Sequence, residues 1–159
     1  MSLDEILKLG NPKLHEVSEP VRISESKKLK STINKLHNLL MEFREEYGTG
    51  RAIAAPQIGV LKRVIYLNIE KPVVIINPEL SDFSKEMMEL WDDCFCFPNL
   101  LVKVKRHQRC RLQFFDIDWN RQIWVPEGDL SELIQHEYDH LDGILATQRA
   151  IDLKSFRWR

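Results

Sequence analysis

The stretch Gln135-His136-Glu137-Tyr138-Asp139-His140 decides how this chain is read. Its two histidines stand four residues apart. On an α-helix that spacing puts them on one face, about one turn from each other. Two imidazoles so placed can grip one metal ion, while Glu137 reaches the water on that ion. The flanks predict a helix. Asp129 can cap its start, with Glu132 completing a capping box. Leu130, Leu133, Ile134 and Leu141 recur at helical spacing, and Gly143 ends the run.

A catalytic centre of this kind takes three protein ligands and keeps one position open. No histidine stands six residues beyond His140, where the chain has Ala146, and no glutamate follows Glu137. Asp142 and Asp152 remain downstream as oxygen donors. Upstream, Cys94 stands out in Trp91-Asp92-Asp93-Cys94-Phe95-Cys96-Phe97-Pro98. A thiolate is a strong soft ligand. On a strand, Cys94 and Cys96 point to the same side, so either sulfur serves by geometry alone. Cys110, in an alternating stretch, reads as packing.

The rest of the chain frames these residues. Its 159 residues suffice for one good core, and 43% hydrophobic with 30% charged residues is ordinary globular composition. A net charge of −1 argues against wholesale nucleic-acid binding, and no apolar run is long enough to span a bilayer. The start, Met1-Ser2-Leu3-Asp4-Glu5, is unlike a signal peptide, and three cysteines make no disulfide pattern. A reducing, cytoplasmic setting is expected.

Residues 3–22 read as irregular chain around Gly10-Asn11-Pro12. Residues 25–47 read as the strongest helix, with Leu29, Ile33, Leu36, Leu40 and Phe43 on one face. Ser24 or Ser26 can cap it, Gly48 stops it, and His37 reads as an exposed helix histidine. Residues 63–69, 73–77, 86–97, 101–108, 110–118 and 122–125 read as strands, with a turn at Asp118-Trp119-Asn120. Residues 144–159 end in a basic aromatic tail. The expected fold is α+β: one domain over 1–159, antiparallel strands around a central metal-binding helix, and a long N-terminal helix packed outside.

Three stretches, in this order, together resemble the peptide deformylase family, which removes the formyl group from N-terminal formylmethionine. Gly50-Arg51-Ala52-Ile53-Ala54-Ala55-Pro56-Gln57-Ile58-Gly59 looks like its glycine-rich loop. Asp92-Asp93-Cys94-Phe95-Cys96 aligns with its cysteine motif, and the run from Gln135 to Gly143 matches its helix motif. Leu9-Gly10-Asn11-Pro12 and Glu19-Pro20-Val21 look like its N-terminal arm. The resemblance implies Cys94, His136 and His140 as ligands to one divalent metal ion, Fe(II) by preference, with Zn(II), Ni(II) or Co(II) able to occupy the site. It implies that metal-bound hydroxide attacks the formyl carbon with Glu137 as general acid/base, while Gln57 and the Phe95 backbone N–H hold the formyl oxygen. Gly50, Ala52 and Ile53 would line an extended substrate peptide. The implied partner is a formylated nascent peptide. Arg149, Lys154, Arg157 and Arg159 offer a basic contact for a ribosome surface, and neither DNA nor membrane is implied.

The chain departs from the family pattern at several places. Asp92 stands where the family has glutamate, with Arg106 available as its partner. Asp93 replaces glycine, Cys96 replaces serine and Ala52 replaces a loop glycine. Leu101 stands where many members carry a substrate-binding arginine. These departures motivate a second expectation: a deformylase-like hydrolase with a different formyl or amide substrate, or with weak activity.

Overall fold

The computed structural model describes residues 2–159. The apolar face read in the first long helix forms α1, Ser26–Tyr47, which buries Leu29, Leu36, Leu39, Leu40 and Phe43. Gly48 ends it in the left-handed region at φ 70°, and its N–H bonds to the Arg44 carbonyl. Neither serine caps its start. Glu25 holds the N-cap position without a side-chain bond, and the Ser26 hydroxyl donates back to the Ile23 carbonyl. His37 is half-buried rather than simply exposed, with Nδ1 at 2.6 Å from the Tyr66 hydroxyl.

Among the described residues there are eight strands. They are β1 (Ala52–Ala54), β2 (Val64–Asn68), β3 (Pro72–Ser81), β4 (Met87–Asp92), β5 (Leu100–His107), β6 (Arg111–Phe115), β7 (Arg121–Trp124) and β8 (Phe156–Trp158). Six follow the expected runs with shifted ends, whereas β1 lies in the stretch read as a glycine-rich loop and β8 in the tail, where no strand was expected. All named pairings are antiparallel. One sheet has the order β1-β2-β3-β6-β7 and the other β4-β5-β8. The helix α2, Asp129–Leu141, packs against β1 and β2 of the first sheet and β5 of the second. It lies within the strands, and α1 covers the outside, as the hydrophobic spacing predicted.

Three differences have local causes. The run at 73–77 extends through Pro78 to Ser81. Its register slips between Ile76 and Glu79, where proline has no N–H for the ladder and Asn77 adopts φ 50°. The Asn77 side chain then pins the N-terminal arm, accepting from the Val21 N–H at 2.8 Å and donating to its carbonyl at 2.9 Å. The run at 86–97 stops as strand at Asp92, and residues 93–99 turn back into β5. The region 144–159 contains a 3-10 turn, Ala146–Arg149, and the edge strand β8. Every residue of β8 is exposed, so its sequence carries no alternation to announce it.

The expected cap of α2 also differs. Gly128, at φ 59°, occupies the N-cap, Asp129 makes no capping bond, and Glu132 pairs with Arg51 instead. Beyond the helix, Gly143 sits at φ 73°, where a Cβ would lie 2.4 Å from the His15 carbonyl oxygen. Only glycine lets the arm close over the end of α2 at this point.

Candidate metal centre

The backbone of α2 sets His136 and His140 one turn apart on its buried face, with ring centroids 5.1 Å apart. Cys94 arrives from the turn after β4, and its Sγ lies 3.3 Å from His140 Nε2. The ligand atoms of Cys94, His136 and His140 all fall within 4.8 Å of one another, and all three side chains are buried. Among the described residues no other group of three has this geometry. Cys96 is buried beside them but lies outside the group, and it sits in a turn rather than on a strand. Cys110 is packed away under Ser131. Asp142 pairs with Arg63 at 2.9 Å, and Asp152 is exposed, accepting from the Lys154 N–H at 2.8 Å.

A buried ion network orients the histidines. Asp92 Oδ2 lies 2.8 Å from His136 Nδ1 and 3.1 Å from the Arg106 guanidinium. This leaves Nε2 of His136 free to face the centre. Arg106 also donates to Asp139 at 2.7 Å, and Arg149 closes the chain on the far side of Asp139. The sequence suggested the Arg106–Asp92 pair. It did not single out Asp139, its bonds to Arg149, or the Arg51–Glu132 bond at 2.7 Å. The available signal was Asp139 itself, an acid three residues past His136 within the buried helix.

Burial pushes the Asp92 carboxyl up, but His136 and Arg106 outweigh it and hold it at about 2. Burial lowers His136, and the Asp92 charge and hydrogen bond overcome that and raise it to about 9. His140 has no such partner; burial and the neighbouring His136 lower it well below its ordinary value. Burial and contact with Cys96 push the Cys94 thiol up, and the hydrogen bond from Cys94 holds Cys96 down.

Glu137 is 2% exposed, and its Oε2 has no hydrogen-bond partner. Burial raises it to about 7. Gln57 is oriented by the Ala54 N–H, which donates to its Oε1 at 2.8 Å; Nε2 therefore points at the sulfurs, 3.6 Å from both Cys94 and Cys96. The Phe95 ring stacks on Phe43 with centroids 3.8 Å apart. A Cβ on Gly50, at φ 140°, would come within 3.1 Å of that ring. Arg44 of α1 fixes this loop by donating to the Gly50 carbonyl at 2.8 Å. Gly50 and Ala52 line the cleft beside Gln57, Asp93, Cys94 and Glu137, whereas Ile53 is fully buried in the core and reaches the cleft with no side chain.

The free space in this cleft is about 30 Å³, room for about one or two water molecules. A larger groove of about 460 Å³ opens between Val21, Leu29 and Val60. There Lys62 bridges Glu19 and Glu25, and among the described residues the groove brings together no group of three metal-ligating side chains, so size does not mark the chemistry here. One thiolate and two imidazoles suit Zn(II), Fe(II), Ni(II) or Co(II) and leave a position open, and the unpartnered Glu137 oxygen suits a bound water. The residues present therefore fit a catalytic metal.

A sequence profile of the family described as Polypeptide deformylase matches residues 3–156. The chain is 32% identical to the peptide deformylase of Dictyoglomus thermophilum over 142 residues, covering 87% of this chain and 92% of that one. It is 34% identical over 161 residues to a protein of Brucella melitensis named peptide deformylase-like, covering 99% and 94%. Its fold is similar to the crystal structure of peptide deformylase from Thermotoga maritima, with a TM-score of 0.85 at 28% identity, over 92% of this chain and 97% of that one.

Proposed function

This chain belongs to the polypeptide deformylase family of metal-dependent hydrolases, and from that premise we propose that it removes the N-formyl group from formylmethionine at the start of nascent peptides. Cys94, His136 and His140 would hold one divalent ion, Fe(II) by preference, with Zn(II), Ni(II) or Co(II) as substitutes. When bound, such a metal supplies Lewis acidity that makes water a competent nucleophile near neutral pH.

The observation that carries the reading is the Glu137 carboxylate. It is buried, has one oxygen without a partner, and borders a space about the size of a water beside the three ligand atoms. A carboxyl held at about 7 can take a proton from water and hand it on at neutral pH. In the hydrolysis, water adds to the formyl carbon and Glu137 takes its proton. The C–N bond then breaks, and Glu137 gives that proton to the departing amine, leaving formate and a free N-terminus. The Gln57 amide, aimed by Ala54, and the Phe95 N–H serve as donors to the formyl oxygen as it becomes anionic. Loss of one such donor lowers turnover by about 10²–10³. Gly50, Ala52 and Ile53 offer backbone along which an extended peptide lies, and the small residues at 50 and 52 allow its close approach.

Residues 1–159 act as one catalytic unit on this reading, in the cytoplasm where formylated chains emerge. Arg149, Lys154, Arg157 and Arg159 would supply a basic contact for ribosomal RNA. A second reading, a related hydrolase with another formyl or amide substrate or with weak activity, is favoured by Asp93 in the cleft and by Leu101, which lies opposite Arg157 in the β5–β8 ladder. The test is hydrolysis of a formyl-Met tripeptide by protein prepared without oxygen and loaded with Fe(II), beside Glu137→Gln. We expect turnover in the parent and a loss of about 10²–10⁴ in the variant at unchanged metal content. A metal-loaded parent that cleaves N-formyl amino acids or other formamides but not the peptide would establish the second reading.

A further inference from the structure

Asp93 stands beside the proposed ligand Cys94 and lines the cleft. Its carboxylate is not free. Arg159 Nη2 forms an ion pair with Asp93 Oδ2, and the two side chains are 34% and 36% exposed. The Arg159 N–H also donates to the Asn99 carbonyl at 2.8 Å. One residue thus touches both ends of the 93–99 turn. The preceding strand strengthens the grip. β8 pairs with β5 at Leu100, Leu101 and Val102, and the Arg157 guanidinium lies 4.2 Å from the centre of the Trp91 ring. Trp91 and Asp93 flank Asp92, the partner of His136, so β8 reaches across β5 to both sides of that anchor.

The turn has little internal support. Its two main-chain bonds run from the Phe97 N–H to the Cys94 carbonyl and from the Leu100 N–H to the Phe97 carbonyl, both at 3.1 Å. The other cation near Asp93, Arg51, is committed to Glu132 at 2.7 Å. Arg159 is therefore the direct partner of a carboxylate that stands next to a thiolate, where an unpaired negative charge disfavours a further anion.

We propose that Arg159 is a positioning residue for the metal site: through Asp93 and Asn99 it holds the turn that carries Cys94 and offsets the charge that Asp93 adds beside it. This rests on Cys94 being a ligand, but on no particular substrate. Half-exposed ion pairs are individually weak, so the effect is a few-fold change rather than an abolition.

The test uses the full chain loaded with Co(II), whose thiolate-to-cobalt absorption reports the Cys94 bond directly. The rate of metal loss to excess chelator is measured for the parent, Arg159→Gln, Asp93→Gly and the double variant. Glutamine keeps the backbone bond to Asn99 and removes the guanidinium that meets Asp93. Arg159→Gln is expected to speed metal loss about three- to fivefold in the parent background and by less than about 1.5-fold in Asp93→Gly, with Arg159→Lys recovering most of the parent behaviour. High salt should narrow the difference in the parent background only. Equal rates for the parent and Arg159→Gln overturn the proposal. So does the same acceleration in both backgrounds, which would make Arg159 a general strap on β5. The readout needs no formyl substrate, so coupling without formyl-Met turnover leaves this inference standing and removes the proposed activity. A thiolate band that persists in Cys94→Ala overturns both the ligand set and the inference.

Discussion

Helix α2 contributes two residues to the centre, and the turn between β4 and β5 contributes one. In α2 the main-chain ladder holds His136 and His140 at a spacing that needs nothing from the rest of the molecule. The 93–99 turn has only two main-chain bonds of its own, and Cys94 is placed by what surrounds it: Gln57 from the loop after β1, the Arg106–Asp92 pair, and Arg159 beyond β8. A helix carries its geometry with it, whereas a turn borrows its geometry from neighbours. The centre should therefore be robust to local changes in α2 and sensitive to removal of distant groups that hold the turn.

The largest effect should come from Arg106, 3% exposed between Asp92 and Asp139. Arg106→Met removes the cation between two buried carboxylates, leaving Asp92 with His136 and Asp139 with Arg149. It should cost about 3 kcal/mol of stability, the low end for a broken buried pair, read from urea unfolding of the metal-free protein. A loss below about 1 kcal/mol would mean that the turn is held by other contacts. Arg106 would then be incidental to the comparison.

Asp92→Asn should weaken metal binding by about 10–100-fold, because it removes the acceptor that orients His136. It also separates the two regions by pH. In the metal-free protein His136 is raised to about 9 from an ordinary 6.5, so the Asp92–His136 pair stabilises fully below about 6.5 and loses this as pH rises towards 9. On the acid side Asp92, held at about 2, keeps its contribution above about 4 and loses it as pH falls towards 2. The stability gap between the parent and Asp92→Asn should accordingly be widest between about pH 4 and 6.5 and narrow towards pH 9, where the Asp92–Arg106 pair remains. A gap that widens with pH would contradict the pairing.

The smallest effect should be at the start of α2. Because Gly128 is the N-cap and Asp129 makes no capping bond, Asp129→Ala should cost only a few tenths of a kcal/mol, against the ~1 kcal/mol of a lost cap. A thermal shift of several degrees would restore the capping box read from sequence.

Much of this was legible along the chain. The apolar spacing of α1 located it within a residue, Gly48 stopped it, and the His136–His140 interval placed two imidazoles on one helix face. The resemblance named Cys94, and the structure groups it with both histidines while Cys96 stays outside. Other features left no local trace. β8 is exposed on every residue, so it has no pattern to read. The pairs Arg51–Glu132 and Arg159–Asp93 join residues distant in sequence, and nothing near either partner announces the other.

By itself the sequence determined what depends on short-range geometry: helix extents, the longer strand runs, and the pairing of two imidazoles with a carboxylate by the 3.6-residue turn of a helix. Only the tertiary structure decided which sulfur faces those imidazoles, which way the Gln57 amide points, and what neutralises Asp93. Each of these depends on contacts between segments whose separation in sequence carries no information about their distance in space. Burial then converts the same contacts into chemistry. It removes the water that would otherwise leave Glu137 an ordinary exposed acid, and holds it near 7.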